Sequence, residues 1–314
     1  MRHKKGAAIL LIAVLCLLAL AYGATFMLKR HALNANRDAY IVYASSYPVY
    51  AVGSMIIDHV PGMQLKLLTQ PQLAGYTAYT LSDWESALLS KADAVIFMGF
   101  GFEGFAADYT SDKAAIITLL SMLDLKSPPE GCLTLDYNSA DEKQLSSASS
   151  WLYMSIDGMM ELCEALCGNM AYLDQAYSSL YYNNLDSAME RLAPLAQHID
   201  TFDALAGKRI AVAHDALIYT ASNLNADISL YIRRDTAQEL TDEQIDECIV
   251  ALKETGTDLL LIEEQAEDTM VARFEAAGIT VIRQDIMLDL SASDGFTGYI
   301  DACNKNLETI TMRL

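Results

Sequence analysis

From about residue 39 the chain alternates short, β-rich apolar runs with amphipathic stretches. The runs Tyr40–Ala44 (YIVYA), Gln64–Leu68 (QLKLL), Ala94–Met98 (AVIFM) and Cys132–Asp136 predict strands. Helical stretches lie between them, one opened by a capping box at Ser82 and Glu85. Strands that alternate with helices pair in parallel, because parallel neighbours need crossovers, so the pattern predicts a sheet covered on both faces. Arg209–Ala213, Ile228–Ile232, Asp258–Ile262 and Thr280–Arg283 repeat it, and a second α/β lobe is expected.

Between the lobes, from about Ala171 to Leu205, no strand pattern occurs. Leu185, Met189, Leu192, Ala196 and Ile199 keep a 4-3-4-3 spacing with polar residues between, the stripe of an amphipathic helix. The expected organisation is a lobe over 39–168, one long connecting helix within 169–205 of roughly eight turns, and a lobe over 206–314. Pro194 is a candidate kink in that helix, and Gly207 a candidate stop after it.

The first 30 residues are different material. Gly6 to Leu28 carries no charge, follows Arg2, His3, Lys4 and Lys5, and precedes Lys29 and Arg30. It reads as a signal or anchor segment: Ala21-Tyr22-Gly23 offers small residues for cleavage, and the run is long enough to span a bilayer uncut. Leu15 before Cys16 disfavours lipid processing there. The expected location is the cell membrane, anchored with the main body outside the cytoplasm. The whole chain carries −20, and its first 30 residues hold five basic and no acidic residues, so the exported remainder is near −25. Such charge opposes phosphate backbones, excludes nucleic acid as a natural partner and favours a cationic or neutral ligand. With 53% hydrophobic and 20% charged residues, a folded body is expected. Cys163 and Cys167 share a helical face and read as small buried residues.

The candidate chemistry centres on His214, which ends a buried strand where an open α/β lobe presents residues to its ligand crevice. Asp285 stands at the end of another strand as an anionic partner. Glu263 and Glu264 form a strand-end acidic pair, expected to be solvated. Gly99-Phe100-Gly101-Phe102-Glu103-Gly104 satisfies G-x-G-x-x-G after a strand, with Asp124 twenty residues on. Bulky Phe100 and Phe102, and the lack of a prompt helix, argue against a dinucleotide site.

The order of motifs resembles the solute-binding components of zinc and manganese ABC importers, over most of residues 39–314. The resemblance rests on Ser46-Tyr47-Pro48 after the first strand and on Thr80-Leu81-Ser82-Asp83. It continues through Lys91-Ala92-Asp93-Ala94-Val95-Ile96, the Gly99 to Glu103 turn, Tyr182-Asn183-Asn184, and Ala213-His214-Asp215-Ala216 with Tyr219. Ile262-Glu263-Glu264-Gln265, the Asp285 turn and the Tyr299 to Asn306 stretch follow in family order. It implies two lobes bridged by a rigid helix, a zinc or manganese ion as transported ligand, and a permease partner. The implied receptor is a monomer and not an enzyme. His214 and Asp285 match the second-lobe metal ligands. The first-lobe histidines are replaced, by Ala74 to Tyr79 and by Ser149, Ser150 and Trp151, so Tyr76, Tyr79 and Ser149 are the candidates to face the ion. Alternatives on the same fold are a metal chelate or organic solute, or an inactive surface scaffold. Binding at His214 needs a neutral imidazole, so affinity is expected to fall near pH 6.5.

Overall fold

A computed structural model describes residues 39–69, 79–122, 129–137, 151–234 and 239–314. The first half opens with β1 (Tyr40–Ala44), α1 (Tyr47–Ile56), β2 (Met63–Leu67), α2 (Asp83–Leu89), β3 (Ala94–Phe97) and β4 (Ala115–Thr118). These four strands form a parallel sheet in the order β2-β1-β3-β4. Alternation along β1 and β3 divides the packing: Val42, Ala44, Ala94 and Ile96 face the main core, while Tyr43, Val95 and Phe97 face a smaller cluster with Leu68 and Leu89.

β5 (Leu133–Asp136) departs from the expected plan. It pairs residue for residue with Leu230–Arg233 and so forms the edge of the second sheet, not the fourth strand of the first. The fourth place is taken by β4, an AIIT run of only four residues.

α3 (Ile156–Leu173) and α4 (Ser178–Asp200) follow, separated by a 3-10 turn at Gln175–Tyr177. The expected single helix over 169–205 is therefore a helix pair whose second member has 23 residues, about 35 Å at 1.5 Å per residue. Its buried stripe is Tyr181, Ala188, Leu192 and Leu195, and the helix runs on through Pro194. It ends at Asp200, well before Gly207. That glycine, at φ +67, instead turns the chain into the next strand. Asn184 fastens α4 to the end of α1, its amide donating to the carbonyls of Ile56 at 2.9 Å and Asp58 at 2.8 Å. Cys163 and Cys167 are free and buried within α3, as the pattern of that helix predicts.

The second half contains β6 (Arg209–Val212), α5 (Ala216–Asn223), β7 (Asp227–Arg233), α6 (Asp242–Glu254), β8 (Leu259–Glu263), α7 (Asp268–Ala276), β9 (Thr280–Gln284) and α8 (Gly295–Arg313). Its parallel sheet has the order β5-β7-β6-β8-β9. Ala211, Ala213, Leu260, Ile262 and Val281 pack against α6 and α7, whereas Ile210, Val212, Leu261 and Ile282 face the main core. That core runs without a break from α1 through α3 and α4 to α8.

Buried tyrosines tie the halves together. The Tyr47 hydroxyl donates to the Gly295 carbonyl at 2.7 Å, Tyr153 to Ile286 at 2.8 Å, and Tyr299 to Tyr153 at 2.9 Å. Arg191 of α4 lies 4.8 Å from the centre of the Phe296 ring. Among the described residues, no helix is long and apolar enough to cross a membrane; the segment 1–30 lies outside them.

Candidate metal centre

In an open parallel sheet the ligand crevice opens where the connections reverse direction, beyond the carboxyl ends of the strands. The first sheet reverses between β1 and β3, the second between β6 and β8. The residues just past those strands are Ser45 and Ser46 with Met98 and Gly99 in one lobe, and His214 with Glu263 and Glu264 in the other.

At the first reversal the chain fills its own crevice. Glu103 is buried, and its carboxylate accepts from the Ser45 hydroxyl and from the amides of Met98 at 2.8 Å and Gly99 at 3.1 Å. Burial pushes its carboxyl above the usual range, and those three donors oppose the shift. The Gly-rich turn thus cradles an internal carboxylate and leads into a 3-10 turn at Gly104–Asp108, not an α-helix. Neither feature suits a dinucleotide phosphate.

At the second reversal His214 is 3% exposed. Its Nδ1 accepts the Ala216 amide at 3.1 Å, which fixes the ring and leaves Nε2 as the nitrogen free for a metal. Burial first, and the Arg234 guanidinium second, push its pKa down to about 3. The expected loss of binding near pH 6.5 therefore does not apply: a desolvated imidazole beside a fixed cation stays neutral far below that pH. The Trp151 ring meets His214 edge-on at 4.7 Å, backed by Phe102 at 5.1 Å and Tyr153 at 5.9 Å. Trp151 and Phe102 come from the first half, so an aromatic cluster closes over the histidine from across the cleft.

Asp285 is 8% exposed and accepts the Met287 amide at 2.7 Å. Its backbone is held on both sides by Asn306, whose amide oxygen takes the Asp285 N–H at 2.7 Å and whose nitrogen donates to the Asp285 carbonyl at 2.9 Å. Burial raises its carboxyl above the ordinary aspartate range, against the Met287 amide. β8 separates β6 from β9, so the strands that carry His214 and Asp285 lie about 9.5 Å apart, two inter-strand spacings.

Glu263 stands between them. It is fully buried, not solvated as expected, because Arg234 reaches across the end of β6 to pair with its Oε1. Burial lifts its pKa to about 6 against the pull of Arg234. Glu264 is the exposed member of the doublet and holds Lys305 at 2.9 Å. Beside this pair, Arg233 sits 3.7 Å from both Asp136 and Asp215, and the Tyr231 hydroxyl donates to Asp215.

The first-lobe candidates divide. Tyr79 donates to Glu85 at 2.7 Å and packs edge-on against Phe105, on the face of the first sheet away from the main core. Tyr76 and Ser149 lie outside the described residues, as do Cys16 and Asp124. Among the described residues, no group of three or more His, Cys, Asp or Glu is placed to hold an ion. A groove of ≈ 620 Å³ runs elsewhere, along α1 and β2 past Arg191, and includes neither His214 nor Asp285. Sequence reasoning missed Arg234 and the burial of Glu263. The inward alternation of Leu259, Leu261 and Glu263 was the available signal.

Two parallel-sheet lobes joined through a helical connector, with buried polar side chains at the strand ends between them, define a solute-binding receptor of the ABC-importer type. Residues 42–312 match the family described as zinc-uptake complex component A, periplasmic (ZnuA), and the chain belongs to it. It is accordingly an extracytoplasmic solute-binding component of a metal-ion importer, with a permease as its partner. Solved structures share the fold. The Pseudomonas aeruginosa solute-binding protein FpvC in complex with Ni²⁺ superposes with a TM-score of 0.72 at 17% identity, covering 88% of this chain and 97% of that one. Zn(II)-bound AdcAII of Streptococcus pneumoniae, a mutant variant, gives 0.70 at 14%, covering 88% and 99%. The laminin-binding protein Lmb of Streptococcus agalactiae, with adhesin and metal-transporting activity, gives 0.68 at 16%, covering 87% and 99%. No curated protein matches the chain by sequence.

Proposed function

We propose that the chain captures a divalent transition-metal ion, zinc or manganese, between a lobe of residues 39–168 and a lobe of residues 206–314, with His214 and Asp285 as protein ligands. The observation that carries this reading is His214 itself. Of five histidines in the chain it is the one buried imidazole among the described residues, it sits at the reversal point of its sheet, and its ring is oriented through Nδ1. His59 and His198 are exposed on the surface. A single imidazole leaves oxygen donors to complete the site, which weakens zinc relative to a histidine-rich centre and favours manganese more than such a centre would.

The remaining functional assignments follow. The apolar segment within residues 1–30 anchors the receptor at the outer face of the membrane, the strongly acidic body works as a monomer without nucleic acid, and it carries out no catalysis. The aromatic cluster of Trp151, Phe102 and Tyr153 over His214 favours a second reading, in which the ion arrives as a chelate whose organic part packs against those rings.

The test is elemental analysis of the tag-free, detergent-extracted full chain from defined medium, followed by titration with Zn²⁺ and Mn²⁺. About one ion per chain is expected, lost in His214→Ala. A wild-type chain that binds neither ion, with His214→Ala unchanged in a transport assay, refutes the reading.

A further inference from the structure

The carboxyl edge of the second sheet holds two buried oxygen atoms that have no hydrogen-bond partner among the described residues: Oε2 of Glu263 and Oε1 of Gln284. Both residues are fully buried. They are also direct neighbours, since Glu263 pairs with Gln284 in the β8–β9 register. Ala211 and Val212 pair with Leu260 and Leu261, and the Ala213 amide donates to Leu261 at 2.9 Å. Continuing that ladder sets His214 level with Glu263.

The faces agree as well. Ala213, Ile262 and Val281 belong to the core under α6 and α7. By alternation His214, Glu263 and Gln284 all point to the opposite side, toward the main core and the cleft. Three potential metal donors thus form one row across three adjacent strand ends, about 4.8 Å apart from strand to strand. That spacing lets neighbouring side chains reach one ion at roughly 2.1 Å.

A purely structural Arg–Glu pair would be expected to engage both carboxylate oxygens in the forked geometry that guanidinium offers. Here Arg234 takes Oε1 alone. The Gln284 amide nitrogen is likewise committed, donating to the carbonyls of Arg283 at 3.0 Å and Asn306 at 3.2 Å, which turns its oxygen to the other side. Two acceptors held side by side without a donor call for a positive ligand.

We propose that Glu263 Oε2 and Gln284 Oε1 are further donors to the ion held by His214, so that the second lobe presents a His–Glu–Gln set in addition to Asp285. Arg234 then fixes the Glu263 carboxylate by one oxygen and aims the other. The inference rests on the metal-capture reading above, and it assigns to that site two residues beyond His214 and Asp285.

The test measures Zn²⁺ and Mn²⁺ affinity of the detergent-solubilised full chain by competition with a chelator. His214→Ala, Glu263→Gln, Gln284→Met and the double variant Arg234→Met/Glu263→Met are compared. The double variant removes both buried charges at similar volume, so the fold survives without an orphaned ion. The expected result is at least a tenfold loss of affinity in Glu263→Gln and in the double variant, and a several-fold loss in Gln284→Met. If the row holds only a water molecule, the double variant binds within twofold of wild type while His214→Ala abolishes binding. That outcome overturns the inference and leaves the proposed function standing. A wild-type chain that binds neither ion overturns both.

Discussion

Replacement of His214 by Asn should invert part of the pH dependence of folding. In the folded chain burial and Arg234 hold this imidazole at about 3; in the unfolded chain it titrates near 6.5. The unfolded state therefore binds more protons between those values, and stability is lost as pH falls below about 6.5. At about pH 5 the loss is 1.36 kcal/mol per unit over about 1.5 units, roughly 2 kcal/mol. Glu263 works in the opposite sense. Its folded pKa is raised to about 6 from 4.5, so the folded state takes up the proton first and gains about 1 kcal/mol by the same pH. Together the two groups leave the wild type about 1 kcal/mol less stable at about pH 5 than at about pH 7.5. In His214→Asn, where Oδ1 can still accept the Ala216 amide, only the Glu263 contribution remains. The difference between the two pH values should shift by roughly 2 kcal/mol in favour of the acid condition. Urea unfolding at both pH values, with the slope checked for constancy, measures this. An unchanged difference would show that His214 takes up a proton in the folded state as readily as in the unfolded one, and the neutral buried imidazole would be refuted.

Two other substitutions probe the frame that positions the site. Tyr153→Phe leaves the Ile286 carbonyl without its donor while the ring still packs on Trp151, so a loss of about 1–2 kcal/mol is expected by chemical denaturation. Leu162→Ala empties a fully buried position of α3 and should cost about 2–5 kcal/mol, read as a fall in Tm with the far-ultraviolet spectrum retained.

How much of this was legible in the sequence depends on how local each determinant is. The strands of the second lobe stand within a residue or two of their expected places, because runs such as DLLLI are buried on both faces and bounded by turns. β5 could be recognised as a strand but not assigned to a sheet. Its partner Leu230–Arg233 lies nearly a hundred residues away, and nothing in LTLD says which sheet edge is open. β4 escaped notice because four residues after a polar turn give too short a period to register. The connecting helix was expected to be longer than it is, since an amphipathic stripe gives no sign of the 3-10 break at Gln175–Tyr177.

The site was legible where one strand end sufficed and obscure where two had to meet. His214 follows RIAVA directly, so its place at the crevice needed only the rule for open parallel sheets. Glu263 follows LLLI just as directly. Its burial, however, depends on Arg234, and in sequence the Arg233–Arg234 doublet resembles any solvated basic pair. Strand order decides the matter: with β6 between β7 and β8, an arginine leaving β7 can cross the end of β6, pass His214 and reach the Glu263 carboxylate. A positive charge is thereby fixed beside the one buried imidazole of a receptor for cations. It disfavours protonation of His214, and an arriving ion feels the same repulsion, offset by Glu263 and Asp285. The carboxylates that balance Arg234 are therefore as much a part of cation capture as the histidine. Affinity should respond to the balance of charge in this row and not to the count of histidines alone.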